Sequence, residues 1–278
     1  MARDASDPLT LQRNVILVLL LMLAALAWGL LIWQRSGGGP DMAAMATPTM
    51  GMRAPVFLAV WVLMMVAMMF PTASPMILTF HRVQASKRQR GEAFVATWVF
   101  VAAYLLVWAL SGVVAYLGAV AAETIAARTG LSTSTAARIG GGILIAAGLY
   151  QLSPLKDVCL AKCRTPISFI MTSWRDGEGG ALRMGLLHGS YCLGCCWLLF
   201  VILFPLGVMN LAAMAVITLV IFAEKTVPWG RFVARMTAGA LVAYGAAVLV
   251  VPQALPTFMA GGNTAMPGGM APMGMGKQ

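Results

Sequence analysis

The sequence predicts an all-α protein, a polytopic transmembrane helical bundle of about seven spans, and three observations support this fold class. Of the 278 residues, 60% are hydrophobic and only 10% are charged, whereas soluble domains carry about 25% charged residues. Several uncharged stretches approach or exceed the roughly 20 apolar residues that a helix needs to cross a bilayer. These stretches are continuous apolar runs rather than the alternating strands of a membrane barrel. The composition therefore excludes an ordinary soluble fold and a disordered chain.

The predicted spans lie between charged residues. They cover 14–34, 54–80, 93–122, 139–155, two helices within 184–223, and 236–251. The stretch 184–223 is too long for one helix, and Phe204-Pro205-Leu206-Gly207 is typical of a turn that divides it.

These spans predict four regions along the chain. The regions are an N-terminal anchor helix (1–34), a Met-rich outside loop (35–54), a six-span metal-binding core (55–252) and a flexible tail rich in Met, Gly and Pro (253–278). The first span has the basic flank of a signal peptide, but its apolar core exceeds the 7–15 residues of such a segment. We therefore interpret it as a retained anchor.

The distribution of Lys and Arg predicts the topology. With the N-terminus in the cytoplasm, 14 of the 19 basic residues fall inside and 5 outside, as the positive-inside rule requires. The predicted C-terminus is then periplasmic, in a bacterial inner membrane. The net charge of +10 is thus a topology signal, and the predicted partner is the lipid bilayer rather than nucleic acid.

Methionine is abundant and clustered. The chain has 21 Met, of which 14 lie in the outside loop (Met42, Met45, Met50, Met52), the second span (Met64, Met65, Met68, Met69, Met76) and the tail (Met259, Met266, Met270, Met273, Met275). Thioether sulfur is a soft, uncharged ligand that suits copper(I). Exposed methionines in the loop and tail would pack against nothing, so we expect them to capture copper(I).

The second span presents its methionines in two adjacent rows. Residues four apart lie on one side of a helix, which pairs Met64 with Met68 and Met65 with Met69. Pro71 and Pro75 are then expected to interrupt the helix and free backbone carbonyls towards its cytoplasmic end. Two interpretations stay open, a Met-lined ion path that ends near His81 and a kinked packing helix.

All five cysteines fall near the predicted cytoplasmic side. Cys159 and Cys163 follow the fourth span, and the fifth span carries His188, Cys192, Cys195 and Cys196. On a helix, Cys192 and Cys195 lie within about 40° of His188 and Cys196 about 80° away. Cytoplasmic thiols stay reduced, so a metal site is favoured over a structural disulfide. Plain packing of small apolar residues is the alternative.

Glu224 and Lys225 end the sixth predicted span. Charged residues at such positions are expensive to bury and mark either structural anchors or sites of proton or metal coupling. Both interpretations stay open at this point.

Two motifs resemble a known family. Residues 149–156 (LYQLSPLK) precede Cys159 and Cys163, and residues 185–197 (GLLHGSYCLGCCW) precede the later Ala223-Glu224-Lys225. Together they resemble a poorly characterised bacterial family of predicted metal-binding integral membrane proteins, a domain of unknown function, over about residues 55–250. The resemblance implies an inner-membrane protein with a metal site but identifies no metal. The ligands it implies are Cys159, Cys163, His188, Cys192, Cys195 and Cys196.

The leading hypothesis is a protein that handles copper(I) for transport, delivery or homeostasis, with zinc or iron as other candidate metals. A periplasmic copper donor or a membrane enzyme would be its partner, and the oligomeric state is open. One alternative is a membrane thiol-disulfide oxidoreductase that uses Cys192 and Cys195; another is a structural subunit of a membrane complex. The sequence shows no phosphate-binding loop and no nucleophile–base–acid arrangement, so we do not expect an enzyme.

Overall fold

The computed structural model describes residues 8–36 and 47–256, and these residues form helices with no strand among them. The helices are α1 (Pro8–Ser36), α2 (Ala54–Gln89), α3 (Thr97–Thr129), α4 (Thr133–Tyr150), α5 (Pro154–Arg164), α6 (Pro166–Ser173), α7 (Gly177–Val201), α8 (Leu203–Leu206), α9 (Leu211–Thr226) and α10 (Gly230–Val250), with a short 3₁₀ helix at Pro252–Ala254. The predictions for Met42 and Met45, and for the tail methionines Met259, Met266, Met270, Met273 and Met275, lie outside the described residues. The predicted all-helical class is confirmed for the part that the structure describes.

Five of the described helical segments are long and apolar enough to cross a membrane: α1, α2, α3, α10 and the joined α7–α8 segment. A sixth span arises if α4 and α5 count as one, although they are bent by 62° at their junction. Helix α9 has 16 residues, fewer than the roughly 20 of a perpendicular span. Seven spans and a cytoplasmic N-terminus therefore stay predictions.

Helix α2 continues through both of its prolines. Proline lacks an N–H, so Pro71 leaves the Ala67 carbonyl free and Pro75 leaves the Pro71 carbonyl free. The indole of Trp28 in α1 donates to the Ala67 oxygen at 3.2 Å, and the Ser74 hydroxyl donates to the Pro71 oxygen at 2.9 Å. The expectation that the prolines interrupt the helix is wrong, because both freed carbonyls accept bonds from other donors and the helix continues to Gln89. The Trp28 bond also helps to hold α1 on α2.

Glycines set the closest helix contacts. A Cβ on Gly185 of α7 would lie 2.5 Å from the Phe100 carbonyl oxygen of α3. A Cβ on Gly141 of α4 would lie 2.9 Å from the Gly245 oxygen of α10, and one on Gly245 would lie 2.7 Å from the Gly141 oxygen. The bundle is thus built from two tightly packed pairs, α3 with α7 and α4 with α10.

Polar contacts mark the two ends of the bundle. At the end that we call the basic end, Lys87 pairs with Asp176 before α7, and the Arg164 guanidinium donates to the Val227 carbonyl at 2.7 Å. At the opposite end, Arg35 of α1 donates to the Met209 carbonyl at 2.9 Å. These contacts place the turns 90–96, 165, 174–176 and 227–229 at the basic end.

The loop before α2 is folded against the opposite end. The Glu123 carboxylate of α3 accepts a bond from the Thr49 N–H at 2.7 Å. Met50 adopts a positive φ of 57° and is buried in the core, while Met52 is half-buried. The expectation that the loop methionines are exposed is wrong for Met50, because the turn carries its side chain into the bundle.

Candidate metal centre

Four thiols meet where α5 packs against α7. Cys192, Cys195 and Cys196 of α7 are buried, and the Cys163 thiol at the end of α5 lies close enough to interact with those of Cys192 and Cys195. We call these four residues the thiol cluster. The sequence placed its two halves on the same side of the bilayer, and the structure brings them into contact.

Gly194 permits the close approach of α5. A Cβ at this position would lie 2.8 Å from the Cys159 sulfur, and the Tyr150 hydroxyl donates to the Gly194 carbonyl oxygen at 2.5 Å. Cys159 therefore lies beside Gly194 at the edge of the thiol cluster, where its thiol and that of Cys195 are close enough to interact electrostatically. Of the five cysteines predicted as ligands, Cys159 is the peripheral one.

A lysine stands beside the cluster. The Lys225 ammonium of α9 donates to the Cys192 sulfur at 3.1 Å and to the Thr72 hydroxyl of α2 at 3.4 Å. The Tyr104 hydroxyl of α3 lies 3.3 Å from the same sulfur. Cys192 is thus the thiol on which four helices converge.

The methionine rows of α2 lead to this point. Met64, Met65, Met68 and Met69 are all fully buried. Thr72, one turn further along α2, donates to the Met69 carbonyl at 3.0 Å and lies 4.0 Å from the Met69 sulfur. A contact line therefore runs from Met69 through Thr72 and Lys225 to Cys192.

Glu224 does not pair with its neighbour Lys225. Its carboxylate accepts bonds from the Lys156 ammonium at 2.6 Å and from the Gln151 amide at 3.0 Å. Lys156 is fully buried, although the topology argument counted it with the basic cytoplasmic residues. The bend between α4 and α5 turns Lys156 back toward α9, where the buried Glu224 carboxylate compensates its positive charge. The pair thus divides, with Glu224 anchoring helices and Lys225 facing the thiols.

His188 lies among aromatic rings one turn before Cys192. Its ring stacks on Phe100 and Tyr104, with centroids 5.9 and 5.6 Å apart, and meets Phe169 of α6 edge-on. Its Nδ1 atom is buried without a hydrogen-bond partner. Cys196 was expected to lie about 80° from His188 around the helix. This separation does not keep Cys196 from interacting with Cys192.

In the described ranges, no three His, Cys, Asp or Glu side chains are arranged as a metal site. Two observations explain why these side chains do not form such a site. The Cys195 and Cys196 thiols donate to the Cys192 carbonyl at 3.1 and 2.9 Å, so they point along their own helix. The Cys192 sulfur is engaged by Lys225 and Tyr104. The thiols hold each other and the protein, and a bound ion would have to replace some of these bonds.

Four residues at the centre were missed by reasoning from sequence. Thr72 continues the methionine rows at helical spacing from Met68 and Met69, which is a usable signal. Gln151 and Lys156 lie within a motif that was noted but given no role. Tyr104 lies on an apolar helix with no local signal, so only the packing of α3 on α7 could reveal it.

One of three comparisons with known proteins finds a match, and that match is to a copper-related family. A family model described as PpoB2, copper chaperone, matches residues 58–248. No curated protein and no solved structure matches the chain. The match covers more than half of the chain and contains the thiol cluster, the methionine rows and both buried lysines.

Proposed function

The chain belongs to the PpoB2 copper chaperone family, and we propose that it binds copper(I) between its helices, on the thiol cluster. In this proposal the buried methionines of α2 pass the ion to Cys192, Cys195 and Cys163. The observation that carries it is the contact line, because it links the buried methionines of α2 to the thiol cluster through the buried side chains of Thr72 and Lys225.

The chemistry of the donors supports copper over the other metals considered. Thioether sulfur is a soft, uncharged ligand that suits copper(I), whereas thiolates bind zinc as well, so the methionines are the donors that favour copper. Helix α2 carries uncharged sulfur on Met64, Met65, Met68 and Met69, and α7 carries thiols. Neutral thioethers exchange an ion more readily than thiolates do, so the order of donors favours movement from α2 to α7.

The surroundings also suit buried thiolates. Taking a charged ligand out of water is costly unless a nearby charge compensates it. Lys225 supplies a positive charge 3.1 Å from the Cys192 sulfur, and Tyr104 supplies a hydroxyl. His188 and Cys159 lie at the edge of this set and would be additional ligands or supports.

The cellular setting is part of the proposal. In the bacterial inner membrane, Met42, Met45, Met50, Met52 and the tail methionines Met266, Met270, Met273 and Met275 would receive copper from a periplasmic donor, and the thiols would hold it for a membrane enzyme. Burial of Met50 means that this loop would have to open for its sulfur to take part.

The test is copper loading of the full chain in detergent. Under anaerobic conditions the protein is loaded with copper(I), desalted and assayed for copper per chain by elemental analysis. We expect stoichiometric copper in the wild type and its loss in Cys192→Ser/Cys195→Ser. Cys159→Ser is the matched control, because this thiol lies at the edge of the cluster, and it should retain most of the copper.

Two results would contradict the proposal. One is an absence of bound copper from wild-type protein whose thiols are reduced. The other is an absence of copper together with thiols that titrate as a disulfide, which would favour the thiol-disulfide oxidoreductase.

A further inference from the structure

The Lys225 ammonium lies where its positive charge would repel a cation bound to the thiol cluster. Its ammonium donates to the Cys192 sulfur at 3.1 Å and to the Thr72 hydroxyl at 3.4 Å. The neighbouring carboxylate of Glu224 is occupied on both oxygens, by Lys156 and Gln151. No carboxylate in the part of the chain that the structure describes hydrogen-bonds to the Lys225 ammonium.

Such a fixed positive charge acts unequally on different metals. Coulomb repulsion scales with the charge of the ion, so an ammonium penalises a divalent ion twice as much as a monovalent one. The effect is large here because the site is buried and water does not screen it. The thiols themselves do not supply this discrimination, since zinc also binds thiolates strongly.

We propose that Lys225 is a specificity-determining residue that makes the thiol cluster favour monovalent over divalent soft cations. The proposal requires only an ammonium at the observed position, 3.1 Å from the Cys192 sulfur. It rests on the proposed copper(I) site and adds the reason why zinc(II) and cadmium(II) bind there with lower affinity.

The test compares silver(I) with cadmium(II), two thiol-seeking ions that keep their oxidation states. Full-length protein in detergent is titrated with each ion under anaerobic conditions, and the ratio of the two affinities is measured. In Lys225→Leu, which adds no ligand atom, we expect this ratio to shift toward cadmium by about tenfold or more, because the charge is removed from a buried site. Lys225→Arg, which keeps the charge, should stay near the wild-type ratio.

Lys162→Leu is the matched control. It makes the same substitution at a half-buried lysine on α5 outside the thiol cluster, and it should leave the ratio unchanged. Lys225→Gln provides a second neutral variant, with folding checked by size exclusion and circular dichroism. An unchanged ratio in a folded neutral variant overturns the inference.

The two proposals fail in different ways. Wild-type protein that retains neither copper(I) nor silver(I) overturns the proposed function and this inference with it. Wild-type protein that retains copper(I) but shows the same silver-to-cadmium ratio as Lys225→Leu overturns the inference alone.

Discussion

Two buried lysines, Lys156 of α5 and Lys225 of α9, differ in what faces the ammonium. Lys156 meets the Glu224 carboxylate at 2.6 Å, and the second carboxylate oxygen accepts a bond from Gln151. Lys225 meets a thiol and a hydroxyl. The first charge is cancelled within the fold, whereas the second is left to act on soft ligands. One region therefore holds α4, α5 and α9 together, and the other prepares a binding site.

The largest expected effect is on stability, in Lys156→Met. Removing one member of a buried ion pair leaves an uncompensated charge and costs about 3–5 kcal/mol. Lys225→Met leaves only thiol and hydroxyl groups, so its cost should be well below that of Lys156→Met. Unfolding of both variants in detergent, followed by circular dichroism, measures the difference. Equal losses would remove the distinction between the two lysines.

A double variant sharpens this result. In Lys156→Met/Glu224→Gln the buried carboxylate is also gone, so much of the lost stability should return, as when buried ion pairs are replaced by neutral groups. A double variant as unstable as Lys156→Met would mean that the loss comes from packing rather than from charge.

A smaller effect on stability is expected in Gln151→Leu. This change leaves one oxygen of the buried Glu224 carboxylate without its partner, which costs about 1–3 kcal/mol. Copper affinity should stay at the wild-type value, because Gln151 belongs to the structural region. A combined loss of copper and stability would show that the two regions are coupled.

Tyr104→Phe probes the other region. It removes a hydroxyl that lies 3.3 Å from the Cys192 sulfur and keeps the ring that stacks on His188. Loss of a group that supports a metal ligand lowers affinity by roughly 10- to 100-fold, and we expect the lower end of that range. Competition for copper(I) with a coloured chelator measures it, and an unchanged affinity would exclude Tyr104 from the site.

The smallest effect concerns an exposed ion pair at the basic end. Hydrogen bonds from Lys87 and then Trp174 lower the pKa of Asp176 below its ordinary value. A lowered pKa stabilises the fold above the ordinary carboxyl range, and this contribution is lost as the pH falls through the lowered pKa. Asp176→Asn should remove that acid dependence and change little at neutral pH, since exposed pairs contribute little. A large effect at neutral pH would contradict the contrast between exposed and buried pairs.

The sequence was a good guide to the helices and a partial guide to the site. Gaps between charged residues predicted the apolar cores of α1, α2, α3, α7 and α10. The turn predicted at Phe204–Gly207 is misplaced, because Leu203–Leu206 is helical and residues 207–210 separate this segment from α9. The bend between α4 and α5 was not predicted, because it depends on Ser153 and Pro154 starting a new helix within a continuous motif.

The same bend explains what was missed at the site. It returns Lys156 to Glu224 and brings Cys163 to Cys192, and neither contact follows from helical periodicity. Adjacent residues on one helix face different neighbours, so Glu224 and Lys225 could not be assigned to separate roles before the packing of α5 and α9 was known. Lys225 was noted in the sequence as a possible coupling residue, but its contact with the Cys192 sulfur was not predicted.

The central claim is that copper(I) is held by sulfur beside Lys225. X-ray absorption at the copper edge of anaerobically loaded, full-length protein tests it most directly, with Cys192→Ser/Cys195→Ser measured alongside. The account predicts a first shell of sulfur alone in the wild type and loss of that spectrum in the double variant. A first shell of nitrogen or oxygen, or a sulfur shell that the double variant retains, would contradict it.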